Sequence, residues 1–314
     1  MATLSESTRA LTRREAVRRF HARHREALFG FLFISPWIVG FLVFTAGPMI
    51  ASLLLSFTDW SILGTAHWVG MRNYTHLVHD SLFWTAMRVT FIFSAISVPL
   101  DVLASLLLAL LLSQRFRGRA LFRAFFYLPE LVPAVATSIL WIWAYNTHFG
   151  IFNYLLSLFG LPQVAWLENS SWVIPSFIIL SLWTSGGSRM IIFLAGLQTV
   201  PRELLEAAHL DGAGVWARFR YVTFPMISPI LLFNLILTTI GAFQVFTSPY
   251  VMTGGGPGNA SLFYVLYLYR NAFQYSLMGY ASALAWVLFL VLLIFTILQF
   301  RMMRKWVYYE GEVR

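Results

Sequence analysis

Four hydroxyl side chains lie on one face of an apolar stretch long enough to form a membrane helix. They are Ser181, Thr184, Ser185 and Ser188. Their spacing of i, i+3, i+4 and i+7 aligns them on a helix. Because lipid offers hydroxyl groups no hydrogen-bond partner, they must face other helices, an aqueous path or a bound molecule. Such groups hydrogen-bond polar solutes, and they equally serve as helix-packing residues. A later apolar stretch adds polar groups that do not share one clean face: Asn234, Thr238, Gln244 and Ser248.

Charged side chains are scarce in the apolar stretches, which makes each of them informative. Arg189 lies beside the hydroxyl line, where a charge costs at least about 2.5 kcal/mol. Asp101 and Glu130, in two other apolar stretches, are possible counter-ions. A structural ion pair or a side chain reaching back to the membrane surface explains Arg189. A role in gating, or in binding an anionic solute such as a phosphorylated polyol, explains it too.

The elements that must carry these groups are transmembrane helices. Hydrophobic residues make up 59% of the 314 residues and charged residues 11%, and the mean hydropathy is +0.71. This leaves too little polar surface for a soluble globule. Crossing a hydrocarbon core of roughly 30 Å takes about 20 helical residues. We therefore predict an all-α integral membrane fold whose six transmembrane helices lie at residues 30–57, 89–114, 124–145, 171–197, 221–250 and 279–300.

The basic residues outside these spans predict the orientation of the chain. Eighteen lie on the two tails and on alternate loops, against three on the opposite side, at Arg72, Arg88 and Arg270. By the positive-inside rule, both termini are expected in the cytoplasm. The basic residues behind the net charge of +9 are thus distributed as a membrane with anionic lipids requires. The charge therefore does not indicate nucleic-acid binding. We predict a basic cytoplasmic tail at 1–29, a transmembrane domain at 30–300 and a cytoplasmic tail at 301–314.

One predicted cytoplasmic loop, residues 199–225, is too polar and too patterned to be a simple connector. Pro201 suits the first turn of a helix, and Glu203 and Glu206 favour the positive end of its dipole. Gly212 predicts the end of that helix, since glycine readily takes the left-handed conformation of a C-terminal cap. A second short helix is expected over residues 213–221, before Pro225 opens the fifth span.

This loop resembles the EAA motif of ABC importer permeases. Glu206-Ala207-Ala208 is followed by a glycine six residues after the glutamate, Gly212, and by Pro225 thirteen residues later. The fuller pattern resembles the carbohydrate-uptake branch of that family: Asp211-Gly212-Ala213-Gly214, Trp216, Phe219, Val222 and Pro225. Other segments also match the family's usual pattern: Val69-Gly70, Asn73-Tyr74, Leu128-Pro129, Gly150 with Asn153, Phe193 to Leu197, and Thr253 to Gly258.

The resemblance implies a permease subunit that forms half of a pathway for a sugar-like solute across the bacterial inner membrane. Its expected partners are a second homologous permease, two ATPase subunits and an extracytoplasmic solute-binding protein. The residues implied in coupling to the ATPase are Glu206, Ala207, Ala208, Asp211, Gly212, Ala213, Gly214 and Pro225. Those implied in the solute pocket are Ser181, Thr184, Ser185, Ser188, Thr238 and Gln244. No cofactor is expected on this chain, because ATP and Mg belong to the ATPase and Gly254 to Gly258 lacks a following Lys-Ser/Thr.

Two rival classes receive less support from the residues. A self-sufficient secondary carrier or channel needs a proton or sodium relay, and only three charged residues lie within the spans. An intramembrane enzyme needs catalytic groups at membrane depth. The sequence has no cysteine, and no His/Glu metal spacing or Ser/Lys pair is placed at that depth. We therefore expect no catalysis on this chain.

Overall fold

The computed structural model describes residues 29–62, 64–114 and 116–303, apart from the side chain of Ser185. The predicted basic tails, at residues 1–28 and 304–314, therefore lie outside the described residues. The chain divides into two units, Met1–Leu55 and Ser56–Arg314.

The first unit contains one described helix, α1, at Phe29–Leu55. Its 27 residues rise about 40 Å, enough to cross a bilayer core. None of its most apolar stretch is buried, and large side chains such as Phe33 and Phe44 are more than four-fifths exposed. A π-helical turn at Leu42–Ala46 interrupts the helix just before Gly47. An apolar surface on all sides is what a lipid-facing helix requires.

The second unit is built from helices joined by short loops. A single antiparallel bridge, Thr58 with Trp68, is the one β-type pairing among the described residues. The helices are α2 (Arg72–His79), α3 (Ser81–Ser113), α4 (Arg119–Leu131), α5 (Ala134–Ala144), α6 (Ile151–Leu158), α7 (Val173–Thr199), α8 (Arg202–Leu210), α9 (Val215–Arg218), α10 (Phe224–Phe243), α11 (Thr247–Met252), α12 (Tyr264–Tyr269) and α13 (Met278–Met303).

Four helical segments of the described chain are long and apolar enough to span a membrane: α1, α3, Val215–Met252 and α13. Two more candidates are bent pairs, α4 with α5 at 98° and the two halves of α7 at 47°. The all-helical membrane fold is confirmed, and the count of six spans stays a prediction that depends on both bent pairs crossing the membrane.

The predicted third span, at residues 124–145, differs from the structure because it is not one straight helix. Val132 is extended, with φ −80° and ψ 129°, and separates α4 from α5. Pro133 follows it, and a proline disfavours the helical conformation in the preceding residue. The proline therefore divides the apolar stretch into two helices at nearly a right angle.

The most extensive helix pairing in the described chain joins α3 to α7. The α3 residues buried along its length include a row of small polar side chains: Thr90, Ser94, Ser97, Asp101 and Ser105. Small side chains let membrane helices approach closely. On the α7 side, a Cβ at Gly187 would collide with the backbone of α4 and would lie 2.9 Å from Tyr127 Cα. Close packing around α7 thus depends on side chains smaller than leucine.

Two asparagines hold the loops that belong to the family-like pattern. Asn73 Nδ2 donates to the carbonyls of Ser56 and Thr58, each at 2.8 Å. Asn153 Oδ1 accepts from the N–H of Val164 and from Trp166 Nε1, each at 3.0 Å. Both side chains therefore tie together backbone segments, which gives these motif positions a structural role.

Candidate functional site

A cavity of about 200 Å³ lies between α3, α7 and the end of α10. Its lining is mixed, with hydroxyls, one carboxylate, one guanidinium and apolar side chains. The lining residues are Phe93, Asp101, Phe177, Leu180, Ser181, Thr184, Arg189, Thr238, Gly241, Ala242, Val245 and Ser248. A cavity with polar groups set among apolar ones is typical of small-molecule sites.

The structure brings half of the predicted pocket residues to this cavity. Ser181, Thr184 and Thr238 line it, whereas Ser188 and Gln244 do not. The side chain of Ser185 lies outside the description. The predicted hydroxyl line on α7 thus divides, because Ser181 and Thr184 reach the cavity and Ser188, on the other half of the bent helix, does not.

The two threonine hydroxyls of the cavity already donate their protons within the protein. Thr184 Oγ1 donates to Leu180 O at 3.0 Å, and Thr238 Oγ1 donates to Asn234 O at 2.7 Å. Both bonds run back along the same helix. A hydroxyl that donates in this way still has lone pairs that accept hydrogen bonds. The two threonines are therefore suited to accept from hydroxyl groups of a solute.

Asp101 and Arg189 place opposite charges in the wall of the cavity. Asp101 is only 3% exposed, and its Oδ2 accepts a 2.7 Å hydrogen bond from Ser181 Oγ. The charge of Arg189 interacts with those of Asp101 and Glu130. Of these two acids only Asp101 lines the cavity. The carboxylate and the guanidinium balance each other there, so the cavity has no net formal charge.

The aromatic residues Trp183 of α7 and Phe243 of α10 do not line the cavity. The rings in its wall are those of Phe93 and Phe177. Phe93 belongs to α3, whose row of small polar residues was not among the residues predicted from the sequence. Spacings of three or four residues from Thr90 to Ser105 are the signal that identifies this face.

The predicted cytoplasmic loop forms a helix, a turn and a second short helix. Helix α8 ends at Leu210, and Gly212 has a φ of +80°. Ala213 N donates to Ala208 O at 2.9 Å, and Gly212 N donates to His209 O at 3.0 Å. This pair of bonds is the Schellman arrangement, which places glycine at the left-handed position. The prediction of a left-handed Gly212 at the helix end is confirmed.

The tip of this loop exposes both charge and large apolar side chains. Glu206 is exposed on α8. Leu210, Val215 and Trp216 are 88%, 77% and 74% exposed. Leu205, on another face of α8, packs against the cluster of buried side chains at the adjoining ends of α3 and α7. The loop is thus anchored on one face and presents an apolar tip with an acid beside it on the other.

Pro225 lies in the second position of α10, after a π-helical turn at Phe219–Thr223. A proline inside a helix lacks an N–H and clashes with the carbonyl four residues earlier. The wider turn before Pro225 gives the backbone room for the ring, because its hydrogen bonds reach five residues back. The loop and the span therefore continue into each other as one helical segment, Val215–Met252.

Residues 101–307 match the family described as the inner membrane component of binding-protein-dependent transport systems. The chain belongs to this family. It is a multi-pass membrane permease of a binding-protein-dependent ABC importer. The matched segment includes the cavity residues from Asp101 onward and the whole of the loop at 199–225.

Relatives of this permease align over nearly the whole chain. A probable ABC transporter permease of Bacillus subtilis, YesP, is 39% identical and covers 95% of this chain and 97% of its own. The trehalose/maltose transport permease MalF of Thermococcus litoralis is 36% identical, and the alignment covers 90% of this chain and 96% of MalF. The lactose transport permease LacF of Rhizobium radiobacter is 34% identical, and the alignment covers 94% of this chain and 99% of LacF.

A solved structure has the same fold. It belongs to a bacterial ABC transporter that imports the acidic polysaccharide alginate, and its chain superposes with a TM-score of 0.80. The superposition covers 91% of this chain and 99% of the other, at 24% identity. The permease therefore has the fold of this ABC importer chain. Membership of the transport family, and not the fold, is what disfavours the rival class of self-sufficient carriers.

Proposed function

We propose that this permease carries an uncharged sugar or sugar-like solute through the cavity between α3, α7 and α10. The observation that supports this proposal is the composition of the cavity wall. Thr184 and Thr238 offer acceptors to solute hydroxyls, and Phe93 and Phe177 offer apolar faces. The balanced charges of Asp101 and Arg189 leave no net charge for an anionic solute to neutralise. The trehalose/maltose and lactose permeases among the relatives support a sugar as the solute.

We propose that the loop at 199–225 docks in a cleft of a cytoplasmic ATPase subunit and couples ATP hydrolysis to transport. The exposed apolar side chains at its tip suit a site that is covered in the assembled transporter. Glu206 is the group proposed to pair with a base of the ATPase, and Gly212 fixes the angle between α8 and α9. The other residues of the proposed coupling site are Ala207, Ala208, Asp211, Ala213, Gly214 and Pro225. ATP and Mg bind to the ATPase in this proposal.

The complete importer in this proposal contains a second, similar permease, two ATPases and a solute-binding protein on the outer side. Both termini of the present chain face the cytoplasm. A solved alginate importer in complex with a pentasaccharide-bound periplasmic protein provides a parallel for the last partner. A functional transporter assembled from two copies of this chain, with no other membrane subunit, would contradict the paired arrangement.

The test of coupling uses Glu206→Lys and Glu206→Gln in the complete transporter. The assays are ATP hydrolysis stimulated by the loaded binding protein, uptake of labelled solute into proteoliposomes, and recovery of the ATPase with the tagged permease. Breaking a partly buried ion pair costs about 3 to 5 kcal/mol, so lysine should weaken docking by roughly a hundredfold or more. Glutamine removes the charge without reversing it, so Glu206→Gln should weaken docking less than Glu206→Lys does. Wild-type values for the lysine variant in all three assays would exclude this loop as the coupling element.

The test of the solute compares neutral and acidic sugars with the cognate binding protein present. Proteoliposome uptake of trehalose, maltose and lactose is measured beside uptake of their uronic acid counterparts. We expect transport of at least one neutral sugar and none of the acids. Uptake of acids alone would contradict the assignment of an uncharged solute.

A further inference from the structure

A second, larger cavity lies at the other end of α3 and α7, on the side that the basic loops predict to be cytoplasmic. Its volume is about 660 Å³, within the range of ligand pockets. It lies where α3 and α7 end and where α4 and α8 begin. Its polar lining residues are Ser113, Arg119, Arg123, Gln198, Arg202 and Thr223. The transport pathway proposed above does not use these residues.

The cavity is strongly positive. Arg119, Arg123 and Arg202 line it, and none of its described lining residues is an acid. Within the described part of the chain, no ion pair involves any of these three arginines. Three like charges converging on one concavity repel one another, and a cleft focuses their field. An anion in the cavity would relieve that repulsion.

Two helix N-termini add to the positive field. Helix α4 begins at Arg119 after Gly118, and helix α8 begins at Arg202 after Pro201. Neither N-cap residue forms a side-chain hydrogen bond with its helix. The first N–H groups of a helix lack partners within it, and together with the helix dipole they favour anions. Both helices thus begin at residues that line the cavity, and the positive ends of their dipoles add to the charge of the guanidinium groups.

Arg123 is held in place by the end of α3. Its Nη2 donates a 2.7 Å hydrogen bond to Leu112 O, while its buried Nε has no hydrogen-bond partner among the described residues. The side chain therefore has a fixed anchor and donors left for a ligand. Planar guanidinium groups bind phosphate oxygens with two parallel hydrogen bonds, which makes arginine clusters typical of phosphate sites.

We propose that this cavity binds a phosphate group, supplied either by the headgroup of an anionic lipid or by a water-soluble phosphate compound. Arg119 and Arg202 contact the phosphate oxygens, and Arg123, anchored to Leu112 of α3, adds a third positive charge. Arg202 and Leu205 belong to α8, so an occupied cavity ties α8 to the ends of α3 and α7. That consequence for coupling rests on the proposed function, whereas the binding itself does not.

The test measures binding by the assembled transporter in nanodiscs. One arm compares retention of spin-labelled phosphatidylglycerol with that of spin-labelled phosphatidylcholine. The other titrates glycerol 3-phosphate, by calorimetry at constant ionic strength, into transporter in phosphatidylcholine nanodiscs. The variants are Arg119→Gln and Arg202→Gln. The matched control is Arg117→Gln, since Arg117 is an exposed arginine near the start of α4 that does not line the cavity.

We expect one probe to bind, and Arg119→Gln and Arg202→Gln each to weaken binding by roughly tenfold, the loss of one charge-assisted contact. Arg117→Gln should bind like wild type. Preference for phosphatidylglycerol identifies a lipid headgroup as the source, and binding of glycerol 3-phosphate identifies a soluble phosphate. Failure of both probes, or equal effects of all three substitutions, would overturn the proposal. Failure of both probes is the result expected if an acidic side chain of the ATPase occupies the cavity instead of a phosphate. A transporter that takes up solute but binds neither probe would leave the proposed function intact.

Discussion

Ser181 Oγ donates a 2.7 Å hydrogen bond to Asp101 Oδ2, which joins α7 to α3 across 80 residues of sequence. The bond lies in the wall of the proposed solute cavity, which Arg189 also lines. It keeps a carboxylate that is 3% exposed in contact with a donor and near an opposite charge. The two helices that enclose the cavity are therefore held together by polar contacts at the place where a solute would sit.

Asp101→Asn is expected to destabilise the transporter, because Arg189 then keeps its charge without the nearby carboxylate. Removing one partner of a buried charge pair typically costs about 3 to 5 kcal/mol. The measurement is thermal unfolding of the assembled transporter in detergent. Asp101→Asn with Arg189→Gln should recover part of the loss, since the double variant removes both charges. Strictly additive losses would show that the two side chains are not energetically coupled.

Thr184→Leu is expected to abolish uptake while leaving assembly intact, because the larger side chain fills a cavity of only about 200 Å³. Thr184→Val keeps the volume and removes the hydroxyl, so it should raise the KM for uptake by about fivefold, the value of one hydrogen bond near 1 kcal/mol. Ser188→Leu is the control on the same helix, outside the cavity. Normal uptake by Thr184→Leu would locate the pathway elsewhere.

Gly187→Ala is expected to loosen the packing of α7 on α4, because the added Cβ meets the carbonyl of Phe126 and lies 2.9 Å from Tyr127 Cα. Backbone atoms cannot rotate away, and overpacking of this kind costs roughly 1 to 3 kcal/mol. Gly186→Ala is a matched control one residue away, where the nearest atom is Leu108 Cδ1 at 4.0 Å. Thermal unfolding should separate the two variants, and equal unfolding temperatures would contradict the close approach.

The sequence predicted elements whose cause is local and missed those whose cause is tertiary. The left-handed turn at Gly212 follows from the residue type, and the hydroxyl line on α7 follows from its spacing. The bend between α4 and α5 follows from Pro133, which keeps Val132 out of the helical conformation and does not change the hydropathy of the stretch. That Ser188 lies outside the cavity while Asp101 lines it depends on the 47° bend of α7 and on its packing against α3. Neither feature can be derived from periodicity.

Asp80, which caps the start of α3, is expected to make stability depend on pH. Burial raises the pKa of its carboxyl, but hydrogen bonds from Tyr267, Tyr280 and the N–H of Leu82 outweigh burial and hold the pKa below its ordinary 3.8. A lowered folded-state pKa stabilises the protein above the unfolded-state value, and the contribution disappears as pH falls through the folded-state pKa. The unfolding temperature should therefore fall below about pH 4.

Asp80→Asn provides the comparison for this pH dependence. The difference in unfolding temperature between wild type and Asp80→Asn should be constant from about pH 5 to pH 7 and should shrink as the pH falls below 3.8. Tyr267→Phe removes one of the donors to Asp80. In a Tyr267→Phe background, Asp80→Asn should therefore change the unfolding temperature by less than it does in wild type. A difference that does not change with pH would show that the hydrogen bonds do not favour the ionised carboxylate.

Gly212→Ala is expected to weaken coupling, because Gly212 has a φ of +80° and an L-residue in the left-handed region costs roughly 1 to 2 kcal/mol. A Cβ there meets no atom within 4 Å, so the cost comes from the backbone alone. Gly160→Ala is the matched control, since Gly160 has a φ of +67° and equally open space but lies outside the loop at 199–225. If the Schellman turn sets the angle between α8 and α9, only Gly212→Ala should reduce ATP hydrolysis stimulated by the binding protein, by up to roughly tenfold. The ATPase should still be recovered with the permease, because Glu206 is unchanged. Equal stimulation in both variants would show that the left-handed turn can be replaced without loss, and that the angle it sets does not govern coupling.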